Sequence, residues 1–104
     1  MGGYAAGIRP FVSCAVNATD AVAFYSKGQQ QAYVSRYTQA GTIGYFRVYW
    51  LSPHPDGSEY VPQYSPIHRA GFVWQVSRTS TEIIIACQTS YEGYSNIDFW
   101  LTIH

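Results

Sequence analysis

The sequence predicts an all-β domain, an antiparallel sandwich or barrel of about eight strands. Three observations carry this. No window of about 11 residues keeps apolar side chains at i, i+3, i+4 and i+7 between capping residues, so helices are not expected. Short runs rich in Val, Ile, Thr, Tyr, Phe and Trp recur, each closed by Gly, Pro, Asn, Asp or Ser. The runs follow one another at roughly ten to thirteen residues, the interval of strands joined by short turns.

In chain order the runs are 8–16 (IRPFVSCAV), 21–26 (AVAFYS), 31–37 (QAYVSRY) and 43–51 (IGYFRVYWL). They continue with 58–64 (SEYVPQY), 71–78 (GFVWQVSR), 81–89 (TEIIIACQT) and 95–103 (SNIDFWLTI). Successive side chains of a strand point to opposite faces, so alternation assigns a core side. In the fourth run Phe46, Val48 and Trp50 oppose Tyr45, Arg47 and Tyr49. In the sixth, Phe72, Trp74 and Val76 oppose Val73, Gln75 and Ser77, and the first set reads as the core face. In the eighth, Ile97, Phe99, Leu101 and Ile103 oppose Asn96, Asp98, Trp100 and Thr102. The second faces carry Tyr, Trp and Arg where water-facing strands usually carry Lys, Glu and Thr. Those three residue types are favoured at subunit contacts, which makes Tyr45, Arg47, Tyr49 and Trp100 candidate interface residues.

At 104 residues the chain suits one domain with a modest core. Apolar residues make up 47% and charged residues only 12%, with ten Tyr and three Trp, which excludes a disordered chain. So few charges, against about a quarter in ordinary domains, point to surface covered by another copy or a partner. Six basic residues balance six acidic ones without any block of one sign, so neither nucleic acid nor an anionic membrane is an expected partner. No apolar run approaches the ~18 residues of a membrane span. The opening MGGYAAGIRP lacks the basic and apolar regions of a signal peptide, and residues 1–8 read as a flexible lead-in from a longer parent, ahead of one domain over 9–104. Cys14 and Cys87 alternate with apolar neighbours inside strands, which favours two buried thiols over a disulfide. Asn17-Ala18-Thr19 fits a glycosylation acceptor.

The chemistry of common enzymes is not in evidence. His54, His68 and His104 lie in separate segments without metal-ligand spacing, and neither cysteine has a CxxC partner, so no metal or other cofactor is expected. No nucleophile elbow or phosphate-cradling glycine loop occurs, and among the sparse carboxylates no pair stands out. A non-enzymatic role follows. The stretch LSPHPDGSEYV (51–61) concentrates polar residues between apolar runs, but Pro55-Asp56-Gly57 is ordered as a turn demands and His54 is held extended before a proline. It reads as a strand connection.

If consecutive strands run antiparallel, connections fall alternately at the two ends. Residues 17–20, 38–41, 65–70 and 90–94 then share one end, and 51–61 shares the other with both termini. The first set offers His68, Arg69, Tyr91, Glu92 and Tyr94, a mixture of aromatic faces and fixed polar groups suited to sugars.

With the strands so placed, the chain resembles the jelly-roll tip domains of the C1q/TNF-like kind found at the ends of trimeric fibres. More narrowly, YFRVYWLSPHPDGSEYVPQYS is similar to a segment of phage tail-fibre and adhesin tips, with an aromatic strand (Tyr45 to Trp50), a His-Pro-x-Gly turn (His54 to Gly57) and a strand carrying Tyr60. The closing IDFWLTIH is similar to the last core strand of such domains. Small trimeric invertebrate lectins of the H-type, which also end in an aromatic strand, are an alternative relative. The resemblance implies a jelly roll and a homotrimer at the end of a fibre, extracellular or on a virion. It implies binding of a cell-surface glycan or protein receptor through the loops opposite the shaft. A structural trimerisation cap without a ligand is the alternative it leaves open.

Overall fold

The computed structural model describes residues 9–37, 43–67, 71–89 and 93–104, the side chains at 93 and 94 excepted. The lead-in 1–8 lies outside them. Each of the eight runs yields a strand: β1 (Val12–Asn17), β2 (Val22–Phe24), β3 (Tyr33–Arg36), β4 (Tyr45–Tyr49), β5 (Pro62–Pro66), β6 (Phe72–Arg78), β7 (Glu82–Thr89) and, after a two-residue β8 (Gly93–Tyr94), β9 (Phe99–Ile103). The described residues contain no helix. The strands form two antiparallel sheets, β2-β1-β9-β5 and β3-β4-β7-β6, with β8 paired to β7. The molecule is a β-sandwich.

Alternation builds the core. Val12, Cys14 and Val16 of β1 and Phe99, Leu101 and Ile103 of β9 turn inward from one sheet; Phe46 and Val48 of β4 and Ile83, Ile85 and Cys87 of β7 turn inward from the other. All are essentially inaccessible to water. Each large side chain so buried contributes about 1.5–3 kcal/mol relative to exposure. The layers meet where the Phe46 and Phe99 rings approach at 6.0 Å and where the Cys87 thiol faces the Ile97 carbonyl at 3.6 Å. Both cysteines are free buried thiols, as the alternation led us to expect.

The sixth run corrects an expectation. Phe72, Trp74 and Val76 do not form its core face: Phe72 is 60% exposed and Val76 47%. Cross-strand partners share a face, and Val73 lies opposite the inward Cys87 while Trp74 lies opposite the outward Ala86. The bulge between Gln75 and Ser77 shifts the register beyond that point, which simple alternation does not foresee. The fifth run also slides. Its strand is 62–66, and Tyr60 lies before it, buried, with its hydroxyl donating to the Thr79 and Glu82 carbonyls at 2.7 and 3.0 Å.

Both outer faces repeat one motif. On one sheet, Phe24, Ala15 and Trp100 stand in a row across three strands; on the other, Tyr45, Ala86 and Trp74 do. Ala15 and Ala86 are fully buried although they point away from the core, because the flanking rings cover them.

The sheet edges are blunted. Pro62 and Pro66 bracket β5, and β6 carries the bulge while its Gln75 N–H is taken by the Tyr64 hydroxyl at 3.1 Å. β2 is only three residues long. Beside β3, the Ala32 N–H donates to Ser26 Oγ at 3.0 Å and the Arg36 guanidinium donates to the Thr19 carbonyl.

Candidate functional site

The stretch 51–61 belongs to a structural end of the sandwich. Gly57 N–H closes a turn onto the His54 carbonyl at 3.0 Å, with Pro55 and Asp56 in the middle and Gly57 itself at φ 64°, a left-handed backbone that suits glycine. His54 is buried. Its Nδ1 accepts from the Asp56 N–H at 3.0 Å, so the ring hydrogen sits on Nε2 and donates to the main-chain oxygen of His104 at 2.7 Å. The ring lies 4.6 Å from Phe11 and 5.0 Å from Tyr60, and its own N–H donates to the Ser80 carbonyl. Each polar group of this histidine is therefore engaged, with residues 56, 57, 80 and 104, while its ring packs on residue 11.

The segment 27–30 joins the same end, with Gln29 and Gln30 donating to the Pro10 and Phe11 carbonyls. The connections after β2, β4 and β6 thus gather with residues 9–11 and 104, as strand alternation predicts.

The opposite end is organised by Asp98. One carboxylate oxygen accepts from the buried Ala18 N–H at 2.8 Å, and its carbonyl accepts from the Ile67 N–H at 2.8 Å. Beside it Ser95 N–H donates to the Cys87 carbonyl, and Cys87 N–H to the Gly44 carbonyl. The roots of all four expected loops, at residues 18, 44, 67 and 95, therefore meet here. Of the candidate binding residues, His68, Arg69, Tyr91 and Glu92 lie outside the described residues. Tyr94 belongs to β8, its backbone opposite Gln88, with its side chain likewise outside the description. Asn96 Oδ1, at this end, is buried without a hydrogen-bond partner among the described residues.

The four candidate interface residues do not form one surface. Tyr45, Arg47 and Tyr49 of β4 stand on the outer face of one sheet, and Trp100 of β9, 45% exposed, stands on the outer face of the other. Arg47 is engaged within its own sheet: Nε donates to Glu82 Oε1 at 2.7 Å, and the guanidinium lies 4.1 Å over the Tyr49 ring. Sequence reasoning missed Phe72 and Val76 as exposed side chains, since it placed them inside, and it missed Tyr33 and Phe24, whose outward setting depends on cross-strand register.

Reactive groups are muted. Desolvation by burial pushes the thiols of both Cys14 and Cys87 up to about 12, the Cys87 shift being opposed by its hydrogen bond to Ile97 and aided by Asp98. Burial likewise raises the Tyr60 hydroxyl to about 12, with Arg78 pulling it down and Glu82 pushing it up. No thiolate nucleophile is on offer at neutral pH. No family model, curated protein or solved structure matches the chain.

Proposed function

We propose that this domain is the tip of a trimeric fibre, and that it binds a cell-surface receptor, a glycan first of all, through the end rooted on Asp98. The observation that carries the reading is the division of the sandwich into two ends. Residues 9–11 and 104 are tied together by His54 at one end, while the roots of the 17–20, 38–41, 65–70 and 90–94 connections meet at the other. A parent joined at the first end presents the second to its surroundings. The jelly-roll reading draws support from the pairing of β1 with β9 and from the chain's repeated crossing between sheets, at β2–β3, β4–β5, β5–β6 and β8–β9.

Three-fold assembly uses one outer face. Contacts made face-on through two opposite sides of a slab propagate in a line and do not close. The Trp100 face is the better choice, because Ser13, Ala15, Phe24, Val22, Gln63, Ser65 and Thr102 around it include no charge. The other face would bury the Arg47–Glu82 pair, whose desolvation is expensive. Closing the ring repeats a weak tip site three times, and avidity supplies affinity one site lacks.

Light scattering on the purified domain tests the assembly: three chains per particle are expected, and one chain after Trp100→Asp. Alanine at His68 and Tyr91 should then abolish binding to cells or glycan while the trimer persists. A monomeric parent domain sinks the proposal. A trimer whose binding ignores both loop variants replaces adhesion with a purely structural cap.

A further inference from the structure

The outer face of the β3-β4-β7-β6 sheet, which the assembly above leaves open, carries an ordered strip of tyrosines. Register sets it out. Tyr33 stands opposite Tyr49 and Ser35 opposite Arg47, and the Tyr37 N–H donates to the Tyr45 carbonyl at 3.0 Å, adding a further row. Positions 33, 35 and 37 share a face, as do 45, 47 and 49, so a tyrosine pair stands at either end of a strip about 13 Å long, with polar groups between. The Tyr33 and Tyr49 rings stack at 5.5 Å. The row from Tyr45 over Ala86 to Trp74 widens the aromatic floor across two further strands, about 10 Å at the usual strand spacing.

We infer that this strip is a binding site for an uncharged oligosaccharide. Tyrosine rings offer flat apolar faces to the C–H side of sugar rings, at little conformational cost. Tyr49 is covered by the Tyr33 ring and the Arg47 guanidinium, so the face presented at this end is that of the more exposed Tyr33, which Tyr49 backs. Sugar hydroxyls need fixed donors and acceptors: Ser35 and Arg47 stand between the two pairs, and Glu82, opposite Tyr49 at one end, reaches Arg47 with its carboxylate. The Arg47–Glu82 bond uses one of five guanidinium N–H groups and one carboxylate oxygen, and the side chains remain 38% and 28% exposed. The Arg47 and Glu82 charges balance each other, so the strip offers no net charge to an ionic ligand and suits a neutral polyol. The inference rests on the fibre-tip reading only in leaving this face outside the contact between copies.

The test titrates the purified full chain with cello-, chito- and malto-tetraose, following saturation-transfer NMR and intrinsic fluorescence. Saturable binding of at least one is expected, weakened tenfold or more by Tyr33→Ala and by Tyr49→Ala, and retained in Tyr49→Phe. Tyr33 is on a sheet edge and 38% exposed, so its variant should fold. His68→Ala and Tyr91→Ala should leave this binding intact, whatever they do to cell adhesion. Absence of binding by all three sugars overturns the inference, and so does binding that both alanine variants leave unchanged. Loss of assembly in Tyr33→Ala overturns it too, by making this face the contact between copies. Loss of sugar binding in His68→Ala alone moves the site to the tip, overturning the strip while sustaining the fibre-tip reading.

Discussion

Asp98→Ala should unfasten the end of the sandwich that Asp98 organises while leaving both sheets in place. The carboxylate accepts the Ala18 N–H at 2.8 Å, and Ala18 has no access to water. Removing the acceptor strands a buried donor and deletes a charge-assisted hydrogen bond, together about 2 kcal/mol on a typical scale of 1.5–3. For a domain near 100 residues, each kcal/mol lowers Tm by roughly 4–8 °C, so a fall of about 8–16 °C is expected. The bond from Ile67 N–H to the Asp98 carbonyl is main chain to main chain and survives the substitution. Asp98→Asn keeps an acceptor oxygen in place without its charge, and about half the loss is expected. Calorimetry and urea unfolding measure both, the midpoint moving at constant slope if only native stability changes. A fall below about 3 °C for Asp98→Ala would refute the reasoning, by showing that Ala18 finds another partner or is not sealed from water.

Three further outcomes follow from the packing. Gly28→Ala would place a Cβ 2.7–2.8 Å from the backbone of Phe11, Val12 and Ser13, and should cost about 1–3 kcal/mol, read as a drop in urea midpoint. His54→Ala removes a buried ring together with its bonds to Asp56 and His104, and should cost about 2–4 kcal/mol; retained stability would mean the turn holds itself. Alkaline unfolding should be steep. Cys14 and Cys87 have folded values of about 12 against 9.0 for a free thiol, so their contribution is intact below pH 9 and is lost as pH rises from there toward 12, because only the unfolded chain can release the protons. The slope is about 1.4 kcal/mol per pH unit per thiol, and Cys87→Ala should remove one thiol's share.

What the sequence revealed depended on how one-sided each strand is. β4 and β9 alternate large apolar and polar side chains, so Phe46, Val48, Phe99, Leu101 and Ile103 were legible as core. β7 runs Ile83, Ile84, Ile85 and Ala86 without alternation, and all are buried, the outward Ile84 between Arg47 and Ser77 and the outward Ala86 between Tyr45 and Trp74. Such a strand gives no face to read, and the facing of β6 depends on it. Phe72, Trp74 and Val76 look like a core stripe until Cys87 fixes Val73 inward and the bulge turns the rest. The role of 51–61 as a connection was readable from its turn residues. The partners that bury His54, Phe11 and His104, lie far away in the chain and leave no local trace. Half of the tyrosine strip, Tyr45, Arg47 and Tyr49, was legible as an outward face; its continuation onto Tyr33 was not, because the register of β3 against β4 leaves no trace in sequence alone.

The pairing of β1 with β9 governs the order in which the chain can be completed. Its rungs join residues 83 positions apart, Val16 to Phe99, and up to 91 apart, Val12 to Ile103. Emerging from the ribosome, Val12, Cys14 and Val16 acquire the β2 hairpin early, but their other neighbour is not yet made. Until synthesis passes position 103, the sheet they belong to has a raw apolar flank, and the hairpins of the opposite sheet have only half a surface to fold against. Closing so long a loop is slow. Completion of this sheet therefore waits until residue 103 has been made, and the unfinished chain is open to capture by other nascent copies. Where several such chains are held side by side by a common stalk, that delay becomes a window in which assembly and folding compete.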